Sequence, residues 1–280
     1  MRHRARARRH GRCHPPRAEH PRRPRRGRRR DRPARGLARV GPVVPSLPVT
    51  IVASGATAVR VAAAFEDPET SWRLVHQLAR RLDEAAIPGV TCVIPTYDAA
   101  LVELRPDTAD LAALTRALEI MIDGIDFGEP LTRHPRHFEV PVLYDFDDEL
   151  DLRGVADAQG LSREEVARLH AEPDYVVRCL GAPGGSPMLD GPPLPDPVPR
   201  LRSPRAHVPQ GMVSVAGRQA TITPAAAPGG WPLIGRTPLA VLDLSSDGPL
   251  VPYAPGDVLR FRPIDRAEFD ALRGSRLAAR

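Results

Sequence analysis

The sequence contains no lysine; its 40 basic residues are all arginine. Aromatics are scarce, 4% of 280 residues, with only two tryptophans. Residues 1–36 carry none at all, so the most basic stretch lacks the stacking faces that a single-stranded nucleic-acid platform needs. Three cysteines, Cys13, Cys92 and Cys179, lie far apart. They make neither a disulfide framework nor a paired-cysteine metal site, and they suit a reducing cytoplasm. There is no P-loop, no G-x-S-x-G turn and no H-E-x-x-H helix, so no motif names a reaction. No stretch is apolar and long enough to be expected in a membrane. Residues 41–59 are uncharged and follow the arginines, as an export signal would. Pro42, Pro45 and Pro48 break any helix there.

What is present is unevenly charged. The whole chain is +6, yet residues 1–36 hold sixteen arginines against two acids, Glu19 and Asp31, which leaves residues 37–280 at −8. Such an Arg/Pro-rich leader cannot bury enough apolar surface to fold. Residues 1–46 are expected to be a disordered tail, with nucleic acid not the expected partner.

From residue 47 the pattern becomes regular. Val49–Ala53 and Ala58–Phe65 alternate like strands. Asp67 and Pro68 have the chemistry of an N-cap and first helical residue. Trp72, Val75, Leu78 and Leu82 then follow at helical spacing. Two short strands and a helix over about Thr108–Ile122 complete a small α+β domain, 47–125, of split βαβ type. After a polar linker, "HFEVPVLYD" opens a second region. Ser162 and Glu165 form a capping box for a helix ending at His170. The segment 181–211 is rich in Pro and Gly and has no period, so it is expected as a long loop. "MVSVAG", "QATITP", "LAVLDL" and "DVLRFRPI" are short strands with turns between them. They predict an all-β barrel domain over 136–265, with 266–280 a C-terminal tail.

Several residues in this half have binding chemistry. His170 ends a capped helix, where it can serve as a general base or be held as a cation by the helix terminus. Arg200, Arg202 and Arg205 lie between prolines, and their planar forks suit carboxylate or phosphate. Gln219 precedes a strand and can point into a barrel. In "APGGWPLIGRTPLAVLD", Gly229 and Gly230 permit a tight turn, Trp231 offers the area to bury it, and Pro232 and Pro238 stiffen both sides. Arg236 and Thr237 then stand on a stiff loop, where binding groups are commonly displayed.

The runs "GLSREEVARLH", "YVVRCLG", "PRLRSPRAHVPQGMVSVAGRQATITP" and "PGGWPLIGRTP" resemble, in order, the 5-oxoprolinase B-subunit family, also called allophanate hydrolase subunit 1 or KipI-like. The resemblance runs from about Val49 to Ile264 and is most specific in the second half. It implies a cyclophilin-like barrel and ATP, with Mg, as co-substrate. It also implies partner subunits A and C and the opening of 5-oxo-L-proline to L-glutamate. The family positions that match are His170, Arg205, Gln219, Gly230, Trp231, Arg236 and Thr237. His170, Arg236 and Gln219 are thereby expected in catalysis, and Arg205, Arg200, Thr237 and Gly230 in substrate or phosphate binding. Where the family shows "GFxPGFxYL", this chain has "GAPGGSPML", with Ala182, Ser186 and Met188 in place of aromatics. Two other roles follow from the same resemblance: a regulator that inhibits a sensor histidine kinase, and a carboxyltransferase-like subunit of urea amidolyase type.

Overall fold

The computed structural model describes residues 47–128, 130–132, 134–144, 150–245 and 248–280. The Arg-rich segment 1–46 expected as a tail lies outside the described residues. The first part of the chain runs β1 (Val49–Ala53), β2 (Ala58–Ala63), α1 (Pro68–Ala85), β3 (Val90–Pro95), β4 (Ala99–Leu104) and α2 (Leu111–Asp123). The sheet order is β1-β2-β4-β3. Strand β4 lies between β2 and β3 and is antiparallel to both, so it splits the β2–α1–β3 crossover.

Helix α1 starts where Asp67 accepts from the amides of Glu69 and Thr70, each at 3.1 Å. These bonds satisfy two of the donors that a helix start leaves open. Val75, Leu78 and Leu82 face the sheet and are buried with Val61, Ala100 and Val102. Helix α2 adds Leu114, Leu118 and Ile122 to the same core. It starts three residues later than the pattern predicts, because Asp110 caps it by accepting from Ala113 N at 2.9 Å.

The second part begins with β5 (His137–Val142), α3 (Leu152–Gln159), α4 (Arg163–Ala171), β6 (Asp174–Gly181) and β7 (Ser186–Asp190). It continues through β8 (Arg205–Val208), β9 (Met212–Ala216), β10 (Gln219–Ile222), β11 (Ala227–Gly229), β12 (Leu233–Arg236), β13 (Val258–Pro263) and α5 (Arg266–Leu272). Seven strands pair in the order β12-β9-β10-β7-β6-β13-β5. The two ends of that order meet where Leu143 N donates to Arg236 O at 2.8 Å and Arg236 N returns to Leu143 O at 3.1 Å. This bridge makes the sheet a nearly closed barrel, the arrangement that removes exposed edges. Strand alternation sends Val140, Val177, Leu189, Val213, Val215, Ala220, Ile222, Leu259 and Phe261 inward, all buried in one core. The capping box on α4 forms in both directions: Glu165 N donates to Ser162 Oγ at 3.1 Å, and Ser162 N donates to Glu165 Oε2 at 2.8 Å.

Three segments differ from the sequence pattern. The expected loop 181–211 contains β7 and β8. Gly184 and Gly185 adopt φ +63° and +87°, and this turn returns the chain so that β7 pairs with β6. The apolar "LAVLDL" is not a strand, although Leu239 and Val241 are buried. The strand lies just before it, at Leu233–Arg236, and Pro238 cannot continue the ladder. Gly235 is needed within that strand, since a Cβ there would lie 2.6 Å from Val142 Cγ1. The C-terminal residues do more than trail away: Leu277 is buried, and Arg280 N donates to His137 O at 2.9 Å.

The two parts meet at Arg178 on β6. Its guanidinium reaches Glu69 on α1 at 2.6 Å and Asp190 on β7 at 2.8 Å. Trp72, which the helical spacing places with the core stripe, turns instead to this seam. Its Nε1 donates to Arg178 O at 2.6 Å, and its ring lies 5.0 Å from the guanidinium.

Candidate functional site

The register across β12, β9 and β10 sets Ser214 opposite both Thr221 and Leu233. Because side chains alternate along a strand, this row lies on the face opposite Val213, Val215, Ala220 and Ile222. It therefore faces away from the barrel core. Thr223 and Met188, with Ser186 two residues before it, share the outward parity. The β8–β11 ribbon and its flanking turns roof this face and enclose a cavity of about 360 Å³. Its lining joins the sheet row to Val208, Ala227–Trp231, Arg200 and the turn Gly181–Pro183.

The roof is held by backbone and by one carboxylate. Leu201 N donates to Gly230 O at 2.8 Å, which pins the Arg200 segment to the Trp231 turn. Gly229 pairs with Arg205 across the ribbon, and a Cβ on Gly229 would meet Val208 Cγ2 at 3.0 Å. Asp151 ties the ribbon to the sheet. It accepts from Arg205 Nη2 at 2.8 Å and from Leu233 N at 2.8 Å, while its own amide donates to Leu233 O at 2.7 Å. Its carboxylate is thus spent on the roof, and α3 begins without a side-chain cap bond.

Arg200 is exposed at the cavity rim, with its guanidinium 5.8 Å from the Trp231 ring centroid. A cation over an aromatic face is attracted to it while its in-plane N–H groups stay available. Ser186, Ser214 and Thr223 are buried hydroxyl residues in the wall. Ser186 Oγ donates to Pro183 O at 3.1 Å, and a hydroxyl can donate or accept. Among the described residues, no group of three or more His, Cys, Asp or Glu side chains could hold a metal ion.

Of the residues expected to form the site, Arg200 and Gly230 line this cavity, together with Trp231. The others stand elsewhere. His170 is fully buried; its Nδ1 and the Tyr144 hydroxyl share a hydrogen bond of 2.6 Å, and its ring packs 4.3 Å from that of Phe261. Burial pushes its pKa down to about 3, which leaves a neutral imidazole in the core and no helix-end cation. Its Nε2 makes no hydrogen bond. Arg205 is engaged by Asp151. Arg236 closes the barrel with its backbone, and its guanidinium lies 5.3 Å from the Phe269 ring of α5. Thr237 is buried, with its amide donating to Gly211 O at 2.8 Å.

Gln219 has the outward parity of Thr221, so it does not point into the barrel. It sits at the seam, where the Tyr97 hydroxyl is buried near Gln219, Cys179, Asp190 and Arg178. Ser186 and Met188, two of the positions in "GAPGGSPML" that depart from the family's aromatics, line the cavity, and the lining residues not expected from sequence include Ser214, Thr221 and Thr223. Their signal is the polar half of the alternation in "MVSVAG" and "QATIT", which reads equally well as an ordinary solvent face.

The chain thus joins a split α+β sheet to an antiparallel-rich, nearly closed barrel that carries a cavity on its outer face. The family model described as "Carboxyltransferase domain, subdomain C and D" matches residues 49–251. The B subunit of the 5-oxoprolinase of Escherichia coli O157:H7 is 37% identical over 202 residues, which cover 71% of this chain and 89% of that protein. This chain belongs to the 5-oxoprolinase B-subunit family. The crystal structure of TTHA0988 is 34% identical, with a TM-score of 0.61, over 74% of this chain. The match spans 40% of the TTHA0988 chain, so this chain is similar to only part of that protein. The urea amidolyase of Kluyveromyces lactis shares the fold, with a TM-score of 0.67 at 19% identity over 83% of this chain and 16% of that one. Among the described residues, no helix is long and apolar enough to cross a membrane.

Proposed function

We propose that this chain is the B component of an ATP-dependent 5-oxoprolinase that opens 5-oxo-L-proline to L-glutamate in the cytoplasm, together with subunits A and C. The observation that carries the reading is the 37% identity to the corresponding Escherichia coli protein over nearly the whole of its length. The cavity is of ordinary size for a small-molecule site and has the expected few polar groups in an otherwise apolar wall.

The chemistry needs help from a co-substrate, because a lactam carbonyl is a poor electrophile. Transfer of the ATP γ-phosphoryl group, with Mg, to the lactam oxygen would activate the carbon. Water then attacks that carbon and the C–N bond opens, the nitrogen taking up the proton, which leaves a γ-glutamyl phosphate; a second water releases phosphate from it and completes L-glutamate. A single arginine at the cavity rim suits one anionic group, and the phosphoryl transfer itself is assigned to the complex as a whole.

The test is co-expression with subunits A and C, followed by an assay for glutamate release from 5-oxo-L-proline with and without ATP. Release that requires ATP and all three subunits is the expected result. An assembled complex that releases no glutamate would refute the reading. A carboxyltransferase-like role is the second reading, favoured by the family model's description and the shared urea amidolyase fold. Carboxyl transfer to urea by the same complex, without glutamate release, would favour it. A third reading, inhibition of a sensor histidine kinase, predicts binding to a kinase with no turnover.

A further inference from the structure

Among the described residues that line the cavity, Arg200 alone is charged. It is placed at the rim by the Leu201–Gly230 backbone bond and lies against the Trp231 ring. The sheet wall is chemically different. Ser214 is 4% exposed and Thr223 9% exposed, and with Thr221 and Ser186 they offer only neutral hydroxyls. The two walls therefore make opposite demands on a ligand.

A carboxylate against the sheet wall would lose water without gaining a cation. A ligand cation at the rim would meet only Arg200 and be repelled. A neutral amide suits the hydroxyl row: its N–H can donate to Thr221 Oγ1, whose proton goes to Ile222 O at 3.4 Å, and its carbonyl can accept from Ser214. A carboxylate suits Arg200, where the planar fork can take both oxygens.

We propose that the cavity selects a small carboxylate that also carries an amide, with the carboxylate on Arg200 beside Trp231 and the amide against Ser214 and Thr221. The proposal rests on the 5-oxoprolinase reading and adds an orientation to it. The lactam bond lies inward at the sheet, and the carboxylate faces the rim. Arg200 is then a specificity-determining residue, and Trp231 sets its position.

Titration calorimetry without ATP tests this on the full chain, alone and in the co-purified complex. The two ligands are 5-oxo-L-proline and 2-pyrrolidone, the same lactam without its carboxylate. The acid is expected to bind roughly tenfold tighter or better, the size of one charge-assisted contact. Arg200→Gln should bring the two affinities together, and Ser214→Ala should weaken both ligands alike. Equal affinities in the wild type, no binding of either ligand, or a preference that survives Arg200→Gln would each overturn the proposal. The wild-type comparison decides the charge requirement even where a variant fails to fold. Binding without turnover would remove the enzyme reading and keep the site. Undiminished turnover in Arg200→Gln would remove the site and keep the enzyme.

Discussion

Acidification should destabilise this protein between pH 7 and pH 5, before its carboxylates titrate. Two buried histidines set that window. His170 is 0% exposed and His76 4% exposed. Burial lowers their pKa values from 6.5 to about 3 and about 4. Both folded values lie below the unfolded one, so below pH 6.5 the unfolded chain binds protons that the folded chain refuses. The stability is intact above pH 6.5 and is lost as the pH falls toward the folded values. Each histidine costs about 1.4 kcal/mol per pH unit in that range. Going from pH 8 to pH 5 therefore removes about 2 kcal/mol for each histidine, and about 4 kcal/mol for the pair. For a folded body of this size, that corresponds to a fall in melting temperature of roughly 8–16 °C.

Asp67, Glu165, Asp243 and Glu268 are held below their usual range by hydrogen bonds. Their stabilisation is complete above about pH 4.5 and is lost only as the pH falls further, outside the window. Urea unfolding at half-unit pH steps would give the slope, and the double variant His76→Gln, His170→Gln should flatten it whatever its stability at pH 8. A wild-type protein equally stable at pH 8 and pH 5 would refute the reasoning. So would imidazole resonances of these two histidines that titrate near 6.5.

Three further substitutions probe the scaffold. Asp151→Ala removes the acceptor of a buried Leu233 amide and the partner of Arg205. It should cost about 2–4 kcal/mol in urea unfolding, and Asp151→Asn roughly half as much, since the amide keeps an acceptor; a neutral Asp151→Ala would show that the roof is held elsewhere. Gly235→Ala forces a Cβ against Val142 at the barrel closure. It should cost about 1–3 kcal/mol and speed hydrogen exchange at Leu143 and Arg236 first, whereas uniform exchange would argue against a local closure defect. Arg178→Ala strips the seam of its two carboxylate contacts. Limited proteolysis should then cut faster between α2 and β5, and an unchanged rate would mean that Trp72 holds the seam alone.

Helices α1, α2 and α4 and most of the strands were legible in the sequence because their signals are local, whereas α5 (Arg266–Leu272) falls in the segment expected as a tail. Asp67-Pro68 and Ser162-x-x-Glu165 state where α1 and α4 begin, and the bonds form as those residue types dictate. The barrel closure was not legible. It depends on Leu143 meeting Arg236 across 93 positions of chain, and no short pattern encodes such a pairing. The "LAVLDL" run shows the same limit: apolar content tells that it is buried, but not that its backbone leaves the ladder.

The lining of the cavity was legible in part, for one physical reason. Sequence neighbours on a strand point to opposite faces. Gly230 and Trp231 lie on the turn and reach the cavity, whereas Arg236 is the last residue of β12 and Thr237 follows it, both at the closure. Arg200 is 31 positions from Trp231 in the chain and beside it in space. The matching stretch around His170 surrounds a core imidazole bonded to Tyr144.

If the cavity on the barrel's outer face holds the substrate of a 5-oxoprolinase, thinning its wall must slow turnover. The most direct test is ATP-dependent glutamate release by the complex with subunits A and C, measured for the wild type and for Trp231→Ala. Removing the ring takes away one cavity wall and the support of Arg200. The wild type should turn over, and the variant should lose roughly tenfold or more in kcat/KM while the complex still assembles. A Trp231→Ala complex that releases glutamate at the wild-type rate would contradict the claim.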